Sequence, residues 1–360
     1  MDSLVSLKEQ IPSRYPESDA PSFHEHFPGI IAERAPAARS DFSFDRRLSW
    51  LRQHGSFTLA YSAAFQEGLE YFGNNHGFLA YKMVGRTAFV LADPVTSPEN
   101  CEVLIREFVR ANSDVCFCQV SRPTSELLAR MGFKVNEMGT ETRIDLANYK
   151  RKSLRAASKR AAKSGYTIRE CTAASVGIDE IETVSDRWRQ TRTYKSREVG
   201  FVNRPIVLGD EVDVRKFFAF DRDGKLVAFS FYDPIYEDGQ VVGYSTSFKR
   251  RLPEADPIIC SAILQSAIDA FQQEERKWLF LGLSPLADIA DKDFRHNALL
   301  SRAFRYAFGC PLFNRFIYPL QGHASHKREF RGVAEQTYFA FNARLALPRV
   351  FKLLRACNMI

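Results

Sequence analysis

The 360-residue sequence has seven cysteines (101, 116, 118, 171, 260, 310 and 357) but no C-x-x-C pair. This spacing argues against zinc ribbons and dithiol redox sites. The cysteines sit mostly in apolar runs, as expected of reduced core thiols in a cytosolic protein rather than a disulfide framework. No run approaches ~20 uninterrupted apolar residues, so no membrane-spanning helix is expected. The start, "MDSLVSLKEQIPSRYPESD", has no basic region followed by an apolar one. No signal peptide is expected, and the placement this implies is cytoplasmic. His24 and His26 are spaced like a metal pair, but no third ligand lies near them, and no metal site is expected.

The content is that of a soluble globular chain: 45% of residues are hydrophobic and 26% charged, and the length allows two domains. The net charge of +7 points to a polyanionic partner, either nucleic acid or an anionic membrane face. The charge is concentrated in "YKRKSLRAASKRAAKSG", residues 149–165, which contains no carboxylate. Arg151, Arg155, Lys159 and Lys163 recur every fourth residue, with Lys152 and Arg160 beside them, while Leu154, Ala157 and Ala161 face elsewhere on a helix. Like charges at this spacing repel and cost helix stability. They would be compensated by the phosphates of such a polyanion, and a solvated linker helix is the simpler alternative.

Residues 1–45 are mixed in character, rich in proline and serine, and form an accessory arm. After them one pattern occurs twice. "GFLAYKMVGRTAFVLADP" is a hairpin; "SPENCEVLIREFVRANS" is a helix capped by Ser97 and Pro98; "DVCFCQV", "TSELLARMG" and "TRIDL" give strand, helix and strand. The second copy has a hairpin turning at Asp223-Gly224, a strand "QVVGYSTSF", a helix opened by Asp256-Pro257, a buried strand "KWLFLGL", a helix "HNALLSRAFRYAF" and a last strand "QTYFAF". The expectation is an α/β chain of two similar domains, 46–148 and 166–345. The basic helix 149–165 joins them, and the amphipathic tail 346–360 is docked as a helix or touches a membrane surface.

This order resembles the acetyltransferase (GNAT) fold in tandem. The R-x-x-G-x-G/A turn that would hold a coenzyme A pyrophosphate at a helix N-terminus is missing, since "RMGFKV" and "MVGRTA" lack the second glycine. An acyl-CoA N-acyltransferase is therefore disfavoured. Five segments in order over residues 55–342 resemble the C-terminal catalytic domain of phosphatidylglycerol lysyltransferases and their soluble relatives. "GFLAYKMVGRTAFVLADPV" is similar to the family's opening hairpin, "FKVNEMGTETRIDL" to its G-E-E-A segment, and residues 150–166 to its basic linking helix. "LFLGLSPLA" resembles the L-G-M-A-P-L loop, and "YPLQGHASHKREF" the final Q-G-L-R-x-[YF]-K-x-K-F.

The resemblance implies transfer of an aminoacyl group from tRNA to a hydroxyl, most often on a phospholipid head group. Transfer to a soluble small molecule such as a hydroxylamine and non-catalytic RNA binding remain as alternatives. The co-substrate is aminoacyl-tRNA, and no cofactor is implied. Arg151, Lys152, Arg155, Lys159, Arg160 and Lys163 would contact the tRNA. The motif E-x-S-x-D-x-x-R aligns with "GYSTSFKR". Ser245 and Arg250 match it, Ser247 stands where aspartate is usual, and Gly243 replaces the acidic residue. Catalytic candidates are Arg250, for phosphate or oxyanion, Ser247, Lys327, and His326 as a proton relay. Substrate-binding candidates are Glu141, Tyr244, Ser245, Ser284 and Gln321; Asp93 is read as a turn former. The amino acid carried, the acceptor and the oligomeric state stay open, as does contact with the inner membrane face.

Overall fold

The computed structural model describes residues 41–192 and 198–359. The accessory arm, with His24 and His26, lies almost wholly outside the described residues. The first half contains α1 (Phe44–His54), α2 (Ala60–Phe65), β1 (Glu70–Asn74), β2 (Gly77–Val84), β3 (Thr87–Leu91) and β4 (Val95–Thr96). It continues with α3 (Pro98–Ala111), β5 (Val115–Val120), α4 (Arg122–Arg130) and β6 (Lys134–Asp145). The basic helix α5 spans Lys152–Lys163. The second half contains β7 (Thr167–Glu170), α6 (Ala173–Val176), α7 (Ile178–Gln190), β8 (Arg215–Phe220), β9 (Leu226–Glu237) and β10 (Gln240–Arg251). After it come α8 (Ile258–Gln273), β11 (Trp278–Pro285), α9 (Ala298–Gly309), α10 (Pro311–Phe316), α11 (Leu320–Arg328), β12 (Val333–Phe341) and α12 (Leu347–Ala356). No described helix is long and apolar enough to cross a membrane.

The α/β class and the repeated order match the expectation, but the two halves share one twelve-stranded sheet. Its order is β1-β2-β3-β5-β12-β6-β11-β10-β9-β8-β7, with β4 on β2. Each half has one parallel pair, β3 with β5 and β10 with β11. Beyond these pairs the halves exchange their last strands: β12 pairs with β5, and β6 pairs with β11. The described residues form one compact unit, so the chain boundary at 149–165 is not a boundary in the sheet. Either half alone would present unpaired strand edges at its centre.

Helix α5 buries its small apolar stripe, Leu154, Ala157 and Ala161, and packs on α8. Gln272 of α8 fixes the entry by donating to the carbonyls of Leu146 (2.6 Å) and Tyr149 (2.9 Å). Short alanines allow close helix approach, and burying Leu154 contributes about 1.5–3 kcal/mol. The C-terminal tail is docked as α12, with Leu353, Ala356 and Cys357 in a core cluster shared with Phe89, Phe339 and Leu300.

Candidate functional site

Strands β10 and β11 pair in parallel only from Gly243–Ser245 against Trp278–Phe280. Both then become irregular. β10 shifts register between Thr246 and Phe248, and β11 between Phe280 and Leu283, where Gly282 has φ +75°. The left-handed turn suits glycine, and a Cβ there would lie 3.8 Å from both the Thr246 carbonyl and the Lys327 amine. The strands thus part, and Lys327 of α11 reaches the opening, donating to the carbonyls of Gly282 (2.8 Å) and Leu283 (2.6 Å).

Glu141 lies one strand further, on β6, opposite Leu283 of β11 and Glu335 of β12. Its carboxyl accepts from Thr58 Oγ1 (2.7 Å) and Gln119 Nε2 (2.5 Å). Gln119 occupies the matching place in the first half: β3–β5 pairing ends at Leu91–Cys118, and Gln119 follows at φ +58°. Non-glycine residues are uncommon in that conformation, so this site holds strain that its neighbours fix. Gln119 Oε1 and Thr246 Oγ1 are buried without a hydrogen-bond partner. Such orphans are few in folded proteins, and a ligand is one thing that satisfies them.

Burial dominates the electrostatics here. It raises the Glu141 carboxyl against the hydrogen bonds of Thr58 and Gln119 and the charge of Lys327. It lowers the Lys327 amine to about 8, with Glu141 pulling upward and Lys249 pushing further down. A fully formed ion pair would shift both groups the other way. His323, stacked on Tyr318, is pushed down to about 4 by burial and by Lys327, Lys249 and Arg192. His326 is lowered by burial and Lys249. Burial and the neighbouring cations thus press both imidazoles toward the neutral form.

The other expected site residues are distributed differently. Arg250 is buried, and both arms are engaged, at 2.9 and 2.8 Å from the Glu198 carboxylate. It also donates to Ser185 Oγ and stacks on Trp188. Three of the five guanidinium N–H donors thus clamp α7 and residue 198 to β10, which gives Arg250 a role in the fold beside the catalytic one expected of it. Arg250→Ala would leave Glu198 with only the longer contact to Arg189, at 3.4 Å. Because that carboxylate is about a quarter exposed, the expected loss is about 2–4 kcal/mol, read as a lower unfolding midpoint in urea at unchanged m-value.

Tyr244 is packed in the core, stacked on Phe271 at 4.3 Å. Ser245 is buried between its cross-strand partners Asp233 and Phe280. Ser247 sits half-buried in the β10 irregularity, donating to the Phe231 carbonyl (3.2 Å). Ser284 is buried near the end of β11, Gln321 is exposed at the start of α11, and His326 is 4.0 Å from Glu329. On α5, Lys152, Arg155, Lys159, Arg160 and Lys163 are exposed and Arg151 is half-buried. Only Arg160 has a carboxylate partner among the described residues, Asp256 at 3.6 Å.

Sequence reasoning missed Thr58, Gln119, Thr246 and Gly282. It also missed a buried charge cluster beside β10, in which Arg204 binds Glu211 and Asp233 (2.7 Å), with Lys216 3.8 Å from Glu211. Glu211 Oε2 and Arg204 Nε lack hydrogen-bond partners there. The one sequence signal was "FYDP", where an aspartate interrupts an apolar strand.

Residues 49–341 match the family described as phosphatidylglycerol lysyltransferase, C-terminal. The chain is 23% identical over 305 residues to an uncharacterized protein of Corynebacterium glutamicum, covering 79% of this chain and 37% of that protein. It is 20% identical over 304 residues to a phosphatidylglycerol lysyltransferase of Staphylococcus xylosus, covering 79% and 34%. The chain thus spans about a third of the length of these curated relatives. The structure of L-PGS from Bacillus licheniformis superposes with a TM-score of 0.70 at 21% identity, covering 87% of this chain and 96% of that one.

Proposed function

Since the chain belongs to the phosphatidylglycerol lysyltransferase C-terminal family, we propose that it moves an aminoacyl group from tRNA to a hydroxyl acceptor at the parting of β10 and β11. The observation that carries this reading is the Lys327 amine. It is half-buried, tied to two carbonyls and lowered to about 8, beside Glu141 and two buried polar atoms that lack partners.

An aminoacyl ester is already activated, so the site must align the acceptor, take its proton and return one to the leaving ribose oxygen. Neutral Lys327 Nζ accepts the acceptor's proton as that oxygen attacks the ester carbonyl. The resulting ammonium protonates the ribose oxygen as the carbon–oxygen bond to tRNA breaks, and the amine is restored. An amine titrating near the working pH is suited to both steps. Glu141 acts on Lys327 through charge, a positioning role. Arg204 holds Glu211 and Asp233, and Glu211 Oε2, which has no hydrogen-bond partner, is the carboxylate oxygen left for the α-ammonium that Ser247, in place of the usual aspartate, cannot hold. Helix α5 meets the acceptor-arm phosphates.

Coenzyme A does not fit this reading. The Asp93 carboxyl already accepts from the Ser121 amide (2.9 Å) at the N-terminus of α4, the kind of place a pyrophosphate would take. The acceptor is taken to be a phospholipid head group, with a soluble hydroxyl or hydroxylamine as the second reading, favoured by Gly243 and Ser247. The test supplies total charged tRNA with labelled amino acids and either vesicles or a small-molecule extract. Label is expected in the lipid fraction. Label in the extract would select the second reading, and label that stays on tRNA in both would overturn transfer.

A further inference from the structure

The described surface has a second kind of basic region, unlike α5. From Phe294 to Arg328, and again from Gln336 to the C-terminus, there is no carboxylate side chain. The first stretch forms α9, α10 and α11, and the second forms the end of β12 and α12. On α9, Leu299 (60% exposed) and Tyr306 (75%) are seven residues apart on one face, with Arg302 between them and Arg305 beside them. On α10, Leu312 (67%) and Arg315 point outward, followed by exposed Ile317.

Helix α12 repeats the pattern, with exposed Leu347 and Phe351, the preceding Leu345, and Arg344 nearby. The inner faces of α9 and α12, through Leu300 and Leu353, cover the same hydrophobic cluster. Their outer faces therefore look away from one side of the sheet. Large apolar side chains grouped there mark an interaction surface.

We propose that this face, α9–α10 with α12, is an anionic phospholipid docking surface. Charge complementarity selects an anionic partner, and the aliphatic side chains select a bilayer over RNA. Helix α5 exposes lysine, arginine, serine and alanine, which suffices for phosphates. The α9–α10 and α12 face adds leucine, isoleucine, phenylalanine and tyrosine, which a polynucleotide backbone leaves in water and a headgroup–acyl boundary buries. Helices α9, α10 and α11 pack together, and α11 carries Lys327, so docking would bring a headgroup to the site. The inference supplies the lipid side of the proposed reaction and rests on that reading only for this last step. Binding is measured without tRNA, so its failure leaves transfer to a soluble acceptor intact.

The test uses the full chain in flotation with vesicles of phosphatidylcholine alone or with about one third phosphatidylglycerol. Wild type is expected to bind the anionic vesicles. Leu299→Ser with Tyr306→Ser and Leu312→Ser is expected to weaken this about tenfold or more, at unchanged melting temperature and unchanged tRNA affinity. Arg302→Gln with Arg305→Gln and Arg315→Gln is expected to abolish the preference for the anionic lipid. Charge reversal on α5 is expected to leave vesicle binding as it was. Absence of wild-type binding, or equal binding by the apolar triple variant, overturns the proposal. So does loss of tRNA affinity or of a self-associated state in that variant, because the face would then belong to RNA or to a second copy.

Discussion

Lys327→Met is expected to slow aminoacyl transfer by about a hundredfold to ten-thousandfold while leaving tRNA affinity unchanged. Methionine keeps the apolar stem in the opening between β10 and β11 but removes the amine that accepts and returns a proton. The pH dependence fixes the sign. Burial holds the amine at about 8, and the neutral form is the base. The rate should therefore climb about tenfold per pH unit below 8 and level above it. Lys327→Arg keeps the charge and length but cannot lose its proton, so it should not restore activity. If Lys327 served only as a fixed cation for the oxyanion, arginine would recover much of the rate and the wild-type profile would fall above pH 8. Glu141 raises the lysine through its charge. Glu141→Gln should move the inflection to lower pH, a shift that a purely structural role would not produce.

The second large effect concerns RNA. Arg155→Glu, Lys159→Glu and Lys163→Glu together are expected to lower tRNA affinity by about a hundredfold or more at low salt. The slope of log affinity against log salt should fall in magnitude by about 2–3, since about three phosphate contacts would no longer release counterions. The three residues are exposed, and the buried stripe Leu154, Ala157 and Ala161 is untouched. Helicity and melting temperature should hold. Filter binding across a salt series is the check, and parallel lines for wild type and variant would remove α5 from the RNA interface.

Local structure was legible where a residue's neighbours in sequence decide it. Ser97 and Pro98 open α3, Gly132 closes α4, and the apolar stripe of α5 is buried as its spacing implied. Pairing partners were not legible. β12 lies against β5, joining Phe341 to Cys116, and an alternating apolar pattern does not say which strand will complete it. The same limit explains the site. Glu141 and Lys327 stood out through family-like segments, but Thr58 and Gln119 reach Glu141 across long stretches of chain that no local spacing connects. The fold role of Arg250 was not legible because its partner Glu198 stands 52 residues earlier in an irregular segment. A motif position marks a residue as constrained without saying whether ligand or fold constrains it.

The most direct test is a structure of the protein with a tRNA acceptor-end analogue whose amino acid is joined through a stable amide instead of the ester. The aminoacyl carbonyl is expected in the cleft between Thr246 and Gly282, within hydrogen-bond reach of Lys327 Nζ, with the duplex phosphates along α5. Density for the aminoacyl end anywhere away from that cleft would contradict the assignment of the reaction to it.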